Sequence, residues 1–101
     1  MTPRNYERNN HTTNVMVVKN TLKDYGVWRT LFDNNAPMQA EYGMHPRGVY
    51  QSKEDPNTVF VLLEIEDMAR AQEMMKKAQD SGLFEKAGII DSERTLCIDV
   101  T

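Results

Sequence analysis

At 101 residues, 40% of them hydrophobic, the chain is sized for one small soluble-type domain. Its 12 basic and 15 acidic residues leave a net charge of −3 and no basic stripe, which argues against nucleic acid as a partner. Cys97 is the single cysteine, so an intrachain disulfide and a cysteine metal knuckle are excluded, and no apolar run approaches the roughly 18 residues of a membrane span.

In chain order, residues 1–14 hold almost no aliphatic side chains and read as a flexible tail, since they bury too little to offset ordering entropy. Residues 15–101 form the single domain. A first strand is expected over Val15–Thr21, where Val15, Met16, Val17 and Val18 give two apolar faces. A helix follows from Asp24, with Tyr25, Trp28, Leu31 and Phe32 on one stripe. Pro37 lacks a backbone donor, so the helix should kink or restart there and end near Tyr42-Gly43. A second strand is expected over Gly48–Lys53, turned by Glu54-Asp55-Pro56-Asn57 into a hairpin with a third.

The third strand, Val59–Ile65, is apolar on both faces: Val59, Val61, Leu63 and Ile65 point one way, Phe60 and Leu62 the other. Asp67 should cap a helix from Met68 to about Gln79 whose stripe is Met68, Ala71, Met75 and Ala78. Ser81 is expected to cap a short helix through Leu83 and Phe84, closed by Gly88, before a last strand over Arg94–Val100. The order β-α-β-β-α-β is the ferredoxin-like α+β pattern, an antiparallel sheet with helices on one face. Helices for one face leave the other face of Val59–Ile65 without cover. A second copy of the sheet covers it most simply, so a homodimer is expected, closing into an α+β barrel.

Leu22, Lys23, Asp24, Tyr25, Trp28, Phe32 and Asp33 carry a version of Val-x-x-Tyr-x-x-Trp-x-x-x-Phe-Asp. With Gly43, Asp55-Pro56-Asn57 before a Val-rich strand, Glu64, and Ala87-Gly88-Ile89-Ile90, the chain resembles the small dimeric α+β barrel proteins related to the antibiotic biosynthesis monooxygenases. The resemblance runs from Val15 to Val100. It implies paired sheets and a pocket between helices and sheet in each subunit. It also implies chemistry of the kind some relatives carry out: cofactor-independent oxidation of aromatic polyketides, cyclisation, isomerisation or haem binding. The chain departs from the pattern at Asn34-Asn35-Ala36-Pro37, which breaks a helix forming one pocket wall, and at Ile90-Asp91-Ser92.

His45 is the candidate acid–base residue, because histidine is the side chain suited to proton exchange at physiological pH, and it is expected between helix and strand at the pocket mouth beside the Pro37 break. Its bland reading is a solvated loop histidine next to Pro46. Trp28 and Phe32 are candidate walls for a flat aromatic substrate, or plain core. Tyr50 brings a hydroxyl to the pocket only if it faces the helices, which strand parity leaves open. Arg47 would grip a carboxylate or enolate, or simply sit on the surface. Met68, Met74 and Met75 would give an adaptable wall, or core. No His/Cys set has metal spacing, no phosphate loop is present, and no nucleophile has a partner, so no metal and no cofactor are expected. The expected function is a small cytoplasmic enzyme working on an aromatic or polyketide-like metabolite by cofactor-independent oxygenation, cyclisation or isomerisation. The alternative is a non-catalytic small-molecule-binding or regulatory module of the same fold.

Overall fold

The computed structural model describes residues 13–101. Expectations for the tail therefore lie outside the described residues, apart from its last two positions. Those two belong to the fold: Asn14 opens the first strand, and the Thr13 carbonyl accepts the Asp99 amide at 3.0 Å.

Eight elements follow one another: β1 (Asn14–Leu22), α1 (Tyr25–Asn34), α2 (Ala36–Glu41), β2 (Met44–Gln51), β3 (Thr58–Ile65), α3 (Met68–Asp80), α4 (Leu83–Lys86) and β4 (Ile89–Ile98). The four strands make one antiparallel sheet in the order β2-β3-β1-β4, so the two central strands are the two most hydrophobic ones. This is the expected ferredoxin-like arrangement, with each helical crossover split in two.

Local chemistry sets the boundaries. The Asp24 carboxylate accepts the Val27 amide at the start of α1, and Asp67 accepts Ala69 and Arg70 amides at the start of α3. The break expected at Pro37 is a restart: Asn35 closes α1 and opens α2, and Pro37 sits in the first turn of α2, where its missing N–H costs nothing. Gly43 has φ +73, and a Cβ there would lie 3.1 Å from the Glu66 Cβ, so the chain enters β2 through a position only glycine fills easily.

Four expectations are corrected. β2 begins at Met44 rather than Gly48, which puts His45, Pro46 and Arg47 in the sheet; β2 is an edge strand, and an irregularity between Pro46 and Gly48 accommodates the proline. β4 begins at Ile89 rather than Arg94, because its pairing with β1 continues past Ser92 to Thr21 and Leu22. Ser81 closes α3 instead of capping α4, whose entry is Gly82 in the left-handed region at φ +75. The α3 stripe is Ala71, Met74 and Ala78, with Met68 and Met75 only half-buried at its margins.

Strand parity then divides the sheet into two faces. Met16, Val18, Asn20 and Leu22 of β1 and Val59, Val61, Leu63 and Ile65 of β3 turn toward the helices and are buried, together with Trp28, Ala71 and Met74. Val15, Val17, Phe60 and Leu62 turn the other way, and no helix among the described residues covers them. Both halves of the apolar alternation seen in Val59–Ile65 are real, but the described residues cover only one.

Candidate functional site: a cavity between helices and sheet

Between the helix layer and the sheet lies a half-enclosed cavity of about 110 Å³. Its floor is Met16, Val18 and Asn20 of β1, Val61 and Leu63 of β3, and Met44 of β2. Its roof comes from all four helices, and Ile89 and Arg94 of β4 close one side. Most of these side chains are apolar, so the cavity prefers the hydrocarbon part of a ligand. A cavity known to admit a benzene ring measures ~150 Å³, so this smaller space encloses at most one six-membered ring, with further groups reaching the opening.

The aromatic wall is built by helical spacing. Trp28 and Phe32 lie one turn apart on α1, with ring centroids 4.8 Å apart and planes at 23°, and Tyr25 meets the indole at 5.8 Å. Trp28 is only 3% exposed, so its indole is at once core and wall. Trp28 and Phe32 thus pack with the core and line the cavity at once. Met74 and Met75 of α3 also line the cavity, whereas Met68 does not.

Three of the other sequence candidates lie elsewhere. In register, His45 stands opposite Glu64 and Tyr50 opposite Phe60, and both therefore point to the bare face of the sheet, away from the cavity. His45 Nε2 contacts Glu66 Oε2 there. Arg47 Nε and Nη2 both donate to the Glu64 carboxylate at 3.1 Å, and this fork holds the Glu64 carboxyl below its ordinary range. Tyr50 is 54% exposed. The expectation of His45 at the pocket mouth failed because β2 starts four residues early, and that shift fixes which face the imidazole takes. His45, Arg47 and Tyr50 all lie on the opposite side of the sheet from Trp28 and Phe32.

The cavity carries polar groups that the sequence reading passed over. Asn20, Asn35, Gln39 and Arg94 all line it. Asn20 and Gln39 are 6% and 8% exposed, and Asn20 Oδ1 and Gln39 Oε1 have no hydrogen-bond partner among the described residues. Asn20 could have been noticed as the polar member of an inward-facing series Met16, Val18, Asn20, Leu22. Gln39 carried no such signal, because the restart at Pro37 resets the helical phase. Arg94 is the one exposed residue among those lining the cavity and marks its opening on the β4 side; its guanidinium lies 5.3 Å from the Phe84 ring centroid. Asn35 and Gln39 bring the helix break into the wall. No group of three or more His, Cys, Asp or Glu side chains suited to a metal occurs among the described residues. Nor is any helix there long and apolar enough to cross a membrane.

The architecture is shared with solved structures. A candidate antibiotic biosynthesis monooxygenase from Bordetella bronchiseptica superposes with TM-score 0.71 over 89% of this chain and 99% of its own, at 10% identity. SnoaB, a cofactor-independent oxygenase from Streptomyces nogalater, in an asparagine-to-alanine variant form, matches with TM-score 0.69 over 88% and 94%, at 13% identity. A dimeric ferredoxin-like protein from an uncultured marine organism matches with TM-score 0.59 over 95% of both chains, at 8% identity. At such identities the likeness establishes the fold. No protein-family model and no curated protein matches the sequence.

Proposed function

We propose that this chain binds a flat, hydroxylated aromatic metabolite in the helix–sheet cavity and oxygenates it without a cofactor, as a homodimer. The observation that carries the reading is the lining itself: a stacked Trp28–Phe32 wall over an apolar floor, with buried amides and one guanidinium at the rim. Stacking and burial hold a ring, and the polar groups orient its oxygens. Among the three chemistries expected from the sequence, cyclisation and isomerisation need a side chain that moves protons. Arg94 is the sole charged residue among the described residues of the lining, and a guanidinium is not a group that passes protons back and forth. Oxygenation asks less of the protein. An electron-rich phenol reacts with O₂ from its own anion, and its conversion to a quinone consumes one O₂ and releases one water. The cavity would exclude bulk water, and Arg94 at the opening would favour the phenolate over the phenol. SnoaB's description as a cofactor-independent oxygenase supports the same choice.

The lack of a proton-moving residue in the lining also favours a second reading, a binding or regulatory module that holds the same ligand and leaves it unchanged. His45 then serves the bare face, where His45, Arg47 and Tyr50 would border the contact with a second copy. The dimeric ferredoxin-like neighbour supports that assembly.

A panel of phenolic compounds titrated against the fluorescence of Trp28, the single tryptophan, tests both readings together with O₂ uptake. Quenching with stoichiometric O₂ consumption is expected. Quenching without O₂ uptake selects the binding module, and no quenching by any member of the panel removes the pocket as the functional site.

A further inference from the structure

The two buried amides of the cavity come from opposite walls. Asn20 rises from the sheet on β1, and Gln39 descends from α2. Each is more than nine-tenths buried, each carries an oxygen without a partner, and each lines the same space. Buried polar groups are almost always paired in folded proteins, because leaving one unpaired costs more than its hydrogen bond returns. A side chain chosen only for packing would be Leu or Met at either place.

We infer that Asn20 and Gln39 read two oxygen substituents on separate edges of one aromatic ring, so that the ligand is a dihydroxylated single-ring arene. The inference rests on the aromatic-ligand reading above and gives it a substrate class. The two unpartnered oxygens are acceptors, which calls for donors on the ligand, and a phenolic hydroxyl donates. A volume of about 110 Å³ restricts the ring count to one within the cavity. Hydrocarbons of equal shape would enter the same space but leave every one of these groups unsatisfied. Sites built to bond a hydroxyl reject analogues without it far more strongly than apolar sites reject an extra methyl. Gln39 owes its position to the restart at Asn35–Pro37, so the break in the helix is what brings the roof amide over the floor.

The experiment compares hydroquinone, resorcinol and catechol with the three matched xylenes, using Trp28 fluorescence on the full-length protein. Transfer from water alone favours the xylenes, so a preference of about tenfold or more for at least one dihydroxybenzene reports hydrogen bonding. Gln39→Leu and Asn20→Leu should each erase most of that preference while binding the xylene at least as well. Both variants should melt no lower than wild type, because each removes an unsatisfied buried amide; Gln39→Met provides the same test if a leucine variant fails to fold. Equal binding of xylene and dihydroxybenzene by wild type overturns this inference and leaves the aromatic-pocket reading standing. Retained preference in all variants also overturns it. Absence of quenching by all six compounds overturns both.

Discussion

The two faces of the sheet carry the same alternation of apolar side chains and meet different fates. Toward the helices, Val59 is fully buried and Val61 is 2% exposed. On the other face Phe60, between them in sequence, is 38% exposed, and Val15, Val17 and Leu62 are only half-buried. The covered face closes around a cavity with Trp28 in its wall. The bare face collects His45, Arg47 and Tyr50 around its aliphatic centre. A single strand thus serves two purposes, and the parity of each residue decides which one.

Substitutions on β3 break this contrast most sharply. Val61→Asp places a carboxylate in the covered face with no partner, at a cost above ~4 kcal/mol, and should abolish folding as seen by circular dichroism. Leu62→Asp, one residue along, strikes the bare face instead. If a second copy covers that face, the variant should lose the dimer in sedimentation, and an obligate dimer would unfold with it. Wild-type protein that sediments as a compact monomer at micromolar concentration would remove the second copy from the account. Trp28→Phe keeps a ring in the wall but shrinks it, and should lower stability by about 1–3 kcal/mol in denaturant titrations while weakening aromatic ligands.

Smaller effects sharpen the same contrast. His45→Ala should leave ligand affinity at the cavity unchanged, since the imidazole lies across the sheet; a loss of binding equal to that of Gln39→Leu would place it in the site after all. Glu64→Gln should reduce stability only slightly, since its Arg47 partner is largely in solvent. The sign follows from the lowered Glu64 pKa: the pair's contribution is complete above the ordinary carboxylate value of 4.5 and is lost as pH falls through the depressed folded value. Melting curves of the two proteins should therefore converge in acid and separate toward neutrality. Divergence that grows in acid would contradict the fork geometry.

The order of elements and the helix restart were readable from the sequence, because Asp24, Pro37, Asp67 and the two-faced run Val59–Ile65 act through local rules. Pocket membership was not. Whether His45 or Met44 meets the helices depends on where β2 begins, and Pro46 and Gly48 disguise that start by looking like a loop. The irregularity between Pro46 and Gly48 shifts register again before Tyr50. Met74 displaced Met75 on the α3 stripe because the angle at which a helix packs on a sheet is a tertiary quantity. Gln39 and Asn20 were invisible as a pair for the same reason: their meeting is a property of the layers.

The most direct test of the division between the two faces uses the methionines, of which the chain has seven. Met16, Met44, Met74 and Met75 line the cavity, while Met38 and Met68 do not. In methyl-labelled protein titrated with hydroquinone, the resonances of the four lining methionines should shift together along one saturation curve, with Met38, Met68 and the His45 ring unmoved. Shifts confined to His45, or spread over Met38 and Met68 with the four cavity methyls unchanged, would place the ligand elsewhere and contradict the account.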